Sequence, residues 1–236
     1  MKNYNLFILC GLSLSLLFSC NGEEAKKITI TDLKDSTRAQ EQNETVVQEL
    51  QFYDEHDSAI NQERFNQKIA SGIFLPLETK SIGGQNEVHL ITLERHARNL
   101  EEMEVPDFSL SDLNGNTYNR KNTLGKVTVL SFWFTSSPLN VNEIGKLNEL
   151  ALQFKENNKV LWLAAALDNA DQLSRFLKDK GWAFRFAADQ EKLAIEFGVL
   201  TYPTHLIIDQ KGQIVRALVR NGDSAAAIAQ KINSLL

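Results

Sequence analysis

Only two of the 236 residues are cysteine, Cys10 and Cys20, and both lie within the first twenty positions. Beyond Cys20 no thiol is available for an intramolecular disulfide, for thiol–disulfide exchange or for a zinc site. Basic runs are missing too. The formal net charge is -5 and the pI is near 5.5. With no Lys/Arg stretch long enough to follow a phosphate backbone, the chain does not read as a nucleic-acid binder. His56, His89 and His96 lack Cys, His or carboxylate partners at metal-ligand spacing. They read as solvated or packed side chains, and neither a metal nor a cofactor is expected. The apolar run from Leu6 to Phe18 is too short for a bilayer span.

That run has the length of a signal-peptide core, and Lys2 supplies the positive region before it. Leu17-Phe18-Ser19-Cys20 resembles the bacterial lipobox, in which the cysteine becomes the acylated first residue of the mature chain. Residues 1–19 are therefore expected to be a lipoprotein signal peptide, with Cys20 the lipidation site. Processing discards Cys10 and acylation consumes Cys20, so the mature protein is expected to carry no free thiol. An exported chain could have formed disulfides, which makes their absence informative. Residues 20–44, rich in Glu, Asp, Lys, Gln, Asn and Thr, cannot bury enough surface to fold and read as a flexible tether. The expected location is the cell envelope, lipid-anchored to a membrane on its periplasmic face or at the cell surface.

Residues 45–100 are expected to form a small α+β companion unit. Val46, Val47, Leu50 and Phe52 suggest a strand, and Phe65 and Ile69 mark a short helix closed by Gly72. Gly83-Gly84 can turn a hairpin between Ile73–Leu77 and Val88–Leu93. Residues 101–236 are more regular. Val127–Phe134 is a continuous apolar run of the kind found in strands covered on both faces. A helix follows over Asn142–Glu156, with Ile144, Leu147, Ala151 and Phe154 on one stripe. Val160–Leu167 is a second buried strand, and Leu173, Phe176 and Leu177 mark a helix ended by Gly181. Phe184–Ala187 and Leu206–Ile208 are further strands, and a turn at Asp209–Gly212 leads to Ile214–Val219. Asp223 is the expected N-cap of a last helix carrying Ala225, Ile228, Ile232 and Leu235. Alternating strands and helices give an α/β fold: a mixed central sheet flanked by helices.

Three motifs give the second part a family likeness: Val105-Pro106-Asp107-Phe108-Ser109-Leu110, Phe132-Trp133-Phe134-Thr135-Ser136, and Gly198-Val199-Leu200-Thr201-Tyr202-Pro203-Thr204. In this order they resemble the TlpA/ResA-like branch of the thioredoxin superfamily, with its AhpC/TSA-redoxin-like domain. The resemblance implies a thioredoxin-like fold in which a cis-proline loop, here Pro203, faces a Cys-x-x-Cys turn. Carried over by position, Ser137 stands where the attacking cysteine belongs and Asn140 where the resolving one belongs. Pro138 keeps a family residue, Leu139 replaces a common second proline, and Gly145 replaces a proline that kinks the helix. Glu143 matches an acid that lies near the cysteines and tunes their protonation.

A serine hydroxyl is protonated at neutral pH and cannot enter a disulfide, so no catalytic residue is expected at these positions. Ser137 is not framed as a hydrolase nucleophile either, because no Gly-x-Ser-x-Gly elbow surrounds it. His205, one step into a strand, reads as packed. The leading expectation is a redox-inactive module that binds a peptide or envelope protein in a groove of Trp133, Tyr202, Pro203 and Thr204. The alternative is an accessory component of an envelope thiol–disulfide oxidoreductase system, favoured by the retention of Glu143 without a cysteine to tune.

Overall fold

The computed structural model describes residues 50–81 and 83–236. The signal segment, Cys10, Cys20, the tether, Val46 and Val47 lie outside the described residues. The chain opens with β1 (Gln51–Tyr53), β2 (Ala59–Ile60), α1 (Gln62–Ala70), β3 (Phe74–Lys80), β4 (Asn86–Thr92) and α2 (Leu93–Glu101). It continues through β5 (Ser109–Ser111), β6 (Thr117–Asn119), α3 (Arg120–Thr123), β7 (Val127–Trp133), α4 (Pro138–Gln153) and β8 (Val160–Ala166). Then come α5 (Ala170–Leu177), β9 (Arg185–Ala187), α6 (Glu191–Glu196), β10 (Thr204–Ile208), β11 (Ile214–Val219) and α7 (Ser224–Leu235).

The central sheet has the order β11-β10-β7-β8-β9. β7, β8 and β9 run parallel, while β10 is antiparallel to both β7 and β11. This is the α/β thioredoxin-like arrangement expected. Every residue of β7 is buried, because apolar side chains leave it on both faces and both faces are covered. Val129 and Trp133 pack with Ile144, Leu147, Ile228 and Ile232 from α4 and α7. Leu130 and Phe132 pack on the other side with Phe108, Leu193 and Phe197. The first four strands make a separate sheet, β2-β1-β4-β3, whose face toward α1 gathers Phe65, Val88 and Leu90. Its β3–β4 hairpin forms where Gly83-Gly84 suggests one, with Gly84 at φ 79°.

Several boundaries differ from expectation. α4 begins at Pro138, ahead of Asn142, because Ser137 occupies the N-cap and Pro138 the first turn, where a missing N–H costs nothing. It continues without interruption across Gly145. α5 stops at Leu177, before Gly181; Asp179 rather than Gly181 takes the left-handed conformation, at φ 61°. Asp223 precedes α7 but makes no side-chain cap bond. Helix α2 is absent from the expectation, since Leu90-Ile91-Thr92-Leu93 reads as one strand. The chain turns instead at Thr92, whose side chain accepts from Arg95 N at 3.1 Å and caps the helix.

α2 joins the two sheets. It lies along β11, the outer strand of the central sheet, and Glu101 Oε1 accepts the outward Ala217 N–H at 2.9 Å. Leu100 enters the core beneath the central sheet. His96 is buried, and its Nε2 accepts from Leu200 N at 3.4 Å, tying α2 to the loop ahead of β10. Desolvation alone pushes the His96 imidazole down to about 4.

Two outcomes are expected. Gly145→Ala should raise stability by about 0.5–1 kcal/mol, since a methyl group there meets no atom within 4 Å and a mid-helix glycine is entropically costly; a lower unfolding midpoint in urea would contradict this. Between the unfolded value near 6.5 and the folded value of about 4, the unfolded chain takes up a proton that buried His96 refuses. Stability therefore falls as the pH drops through that window, by about 2 kcal/mol at pH 5. Urea unfolding at pH 7 and pH 5 should show a smaller loss for His96→Gln than for the parent protein, and equal losses would refute the assignment.

Candidate functional site

The site is assembled where β7 ends and α4 begins. Thr135 is clamped to the loop after β8: its N–H donates to Asp168 Oδ2 at 2.8 Å and its hydroxyl to Asp168 Oδ1 at 2.6 Å. Ser137 then caps α4, its Oγ accepting the Asn140 N–H at a long 3.4 Å. Opposite lies the loop before β10, where the Tyr202-Pro203 peptide is cis, as the resemblance implies. Pro203 O accepts from Arg220 N at 2.9 Å, and Thr204 Oγ1 donates to Thr201 O at 2.8 Å, which closes the loop on itself.

Of the residues expected to line a groove, Tyr202 is half-buried and accessible, whereas Pro203 and Thr204 are buried. Trp133 is not in the groove. Strand alternation turns it into the core, fully buried, with ring centroids 5.5 Å from Phe176 and 5.8 Å from Phe186. Phe134, one residue later, takes the place assigned to it and meets Tyr202 edge to face at 5.8 Å. Pro138 and Leu139 are exposed beside Ser137, Leu139 by 39 %. Burial, with the Glu191 carboxylate adding, holds the Tyr202 phenol above its ordinary value, so it remains a neutral donor at neutral pH. The accessible face thus consists of Phe134, Ser137, Pro138, Leu139, Thr201 and Tyr202.

Beneath this face is a polar cluster that spacing along the chain does not reveal. Glu143 Oε2 accepts from His205 Nε2 at 2.9 Å, and His205 Nδ1 lies 3.0 Å from Ser131 Oγ. Ser131 and His205 are cross-strand partners on β7 and β10. The Ser224 hydroxyl sits 2.6 Å from Asn221 O and 3.3 Å from Glu143 Oε2; with one proton to give, it favours the shorter bond. Ser131, His205 and Glu143 have the composition of a hydrolase triad, but they are 0 %, 1 % and 2 % exposed. A substrate carbonyl cannot reach them, so the cluster is a structural core network. The Ser137 hydroxyl is bonded to the Asn140 N–H and to no histidine among the described residues. Asn140 is also buried, and its Oδ1 and Glu143 Oε1 have no hydrogen-bond partner among the described residues. Glu143 is engaged by His205 on β10 rather than by the two positions of the turn.

No thiol occurs among the described residues, and no group of three or more His, Cys, Asp or Glu side chains there is placed to hold a metal. The face can present hydrogen-bond donors, backbone groups and apolar surface, and it has no nucleophile of the kind disulfide exchange requires.

Residues 102–217 match the AhpC/TSA family. The chain is 30% identical over 118 residues to the thiol-disulfide oxidoreductase ResA of Bacillus anthracis, an alignment covering 49% of this chain and 68% of the relative. It is 27% identical over 116 residues to the thioredoxin-like protein YneN of Bacillus subtilis, covering 48% and 68%. Among solved structures, a candidate thioredoxin from Neisseria meningitidis superposes with a TM-score of 0.50 at 33% identity, covering 56% of this chain and 88% of that one. A thioredoxin-family protein from Chlorobium tepidum superposes with the same score at 17% identity, a likeness of fold. Fold, cis-proline loop and relatives agree, and the chain belongs to the TlpA/ResA-like family of thioredoxin-fold thiol–disulfide oxidoreductases.

Proposed function

We propose that this protein is a thioredoxin-fold binding module of the cell envelope, anchored by a lipid on Cys20, that holds an extended peptide without performing thiol–disulfide exchange. The observation that carries the reading is a preserved face with its sulfur removed. The helix start and the cis-proline loop remain, while Ser137 serves as a helix cap and Asn140 is buried. At the loop, the Tyr202 N–H and C=O make no hydrogen bond to the described residues, and the backbone here is not part of a strand. An extended segment can pair with these groups as a short added strand, with Phe134, Leu139 and the Tyr202 ring giving apolar contact. None of this depends on a thiolate.

Membrane attachment rests on the lipobox-like segment, which lies outside the described residues; among the described residues no helix is long and apolar enough to cross a membrane. The accessory redox role rests on Glu143 alone. Its bond to His205 gives that residue a task independent of any thiol, which leaves peptide binding as the supported reading.

The mature protein should reduce insulin with dithiothreitol no faster than dithiothreitol alone; measurable turnover would sink the redox-inactive reading. Peptides selected from a random library on the mature protein should lose affinity roughly tenfold on Tyr202→Ala, about 1.4 kcal/mol, with the fold retained by circular dichroism. Unchanged affinity would remove the cis-proline face as the binding surface. The double variant Ser137→Cys, Asn140→Cys should regain a disulfide, and the thiol at position 137, at the helix N-terminus, should be alkylated by iodoacetamide with a midpoint below the ordinary ~8.5. A midpoint at or above that value would show that the turn has lost its activating geometry.

A further inference from the structure

The face of the companion sheet turned away from α1 does not pack tightly against the rest of the molecule. Between it, α2 and the segment leading to the cis-proline lies a cavity of about 470 Å³. This is within the range of small-molecule sites. One wall is apolar, formed by Leu77, Ile91, Leu100, Met103 and Leu200. α2 contributes the polar groups Arg95, His96 and Asn99.

His96 defines what the cavity can accept. The side chain is 3 % exposed, and its Nε2 accepts the Leu200 N–H. A ring nitrogen accepting from a backbone amide carries no proton, and burial keeps the imidazole neutral at pH 7. The single ring proton therefore sits on Nδ1. That N–H has no acceptor among the described residues, and His96 lines the cavity. Arg95 is exposed and pairs with no described carboxylate, unlike Arg98 on the same helix, which pairs with Glu94. The acid in the lining, Asp57, is already held by His89 Nδ1 at 2.8 Å. The cavity thus sets the donors of Arg95, His96 and Asn99 against a hydrocarbon wall.

We propose that this cavity binds a small apolar carboxylic acid, whose carboxylate accepts from His96 Nδ1, Arg95 and Asn99 Nδ2 while its hydrocarbon part lies against Leu77, Ile91 and Leu200. A carboxylate fits because it brings two acceptor oxygens and a negative charge to three donors, one of them cationic. A strongly hydrated ligand without a hydrocarbon part would leave the apolar wall uncovered. The site is separate from the peptide face and does not depend on the reading of that face.

Octanoate is the probe, with octanamide as its uncharged counterpart of nearly equal shape. In the 15N-labelled mature protein, octanoate at millimolar concentration should saturably shift the Leu200 amide and the His96 ring nitrogens, and octanamide should bind roughly tenfold more weakly. Arg95→Gln should weaken octanoate by a similar factor. Leu77→Trp, at a half-buried strand position, should fill the cavity and abolish the shifts. The proposal fails if octanoate gives no saturable shift of these signals, if octanamide binds equally well, or if a folded Leu77→Trp variant binds unchanged. Should either variant not fold, the comparison of octanoate with octanamide on the parent protein decides by itself.

Discussion

The buried contact between Glu143 and His205 holds the site together. It joins the first turns of α4 to β10, and through Ser131 and Ser224 it reaches β7 and the start of α7. Side chains of four elements from distant parts of the chain thus gather around the Glu143–His205 pair. A buried polar group left without its hydrogen-bond partner costs about 1–3 kcal/mol, so each side chain constrains the other's presence. The start of α4 is held against the strand that follows the cis-proline, which sets the spacing between the Ser137 turn and Tyr202. The network leaves Glu143 Oε1 and Asn140 Oδ1 without partners among the described residues. Such orphan acceptors cost roughly 1–3 kcal/mol each, and one of them, on Asn140, stands at a position that the family gives to sulfur.

Helix α2 has a comparable role at the other edge of the molecule. β11 is an outer strand, and an uncovered outer strand invites pairing with another chain. Glu101 takes the outward Ala217 N–H, and Leu100 enters the core beneath the central sheet. The same helix carries His96 to Leu200. The companion sheet is therefore connected to the loop of the cis-proline by a covering helix with its own buried contacts.

Legibility in the sequence follows the physics of each part. The β7 run is plain because burial on both faces leaves no charged residue to interrupt it, whereas the start of α4 is read four residues late because its apolar stripe begins only at Ile144, after the Ser137-Pro138 cap. α2 is obscured because Thr92, a strand-forming residue, also caps the helix, so the apolar run passes from one period to another without a break. Trp133 is misplaced for a related reason: in a strand buried on both sides, alternation cannot say which face looks toward a ligand. The partnership of Glu143 with His205 is invisible to spacing. It spans 62 residues and depends on β10 pairing antiparallel with β7 in one register, which sets His205 opposite Ser131. The cavity at His96 is hidden in the same way, being made by helix, sheet and loop together.

The exchange of two sulfurs for Ser137 and Asn140 alters what kind of hold the face can have on a partner. A dithiol holds its substrate through a covalent mixed disulfide, and release depends on attack by the second thiol. With a hydroxyl at the first position and a buried carboxamide at the second, neither step is possible. On the proposed binding reading, the residence time of a held segment is set by main-chain hydrogen bonds at Tyr202 and by apolar contact at Phe134 and Leu139. Related complexes of this non-covalent kind differ mostly in how fast they dissociate. In this chain the cis peptide and the contact of Glu143 with His205 stand beside a turn that carries no thiol.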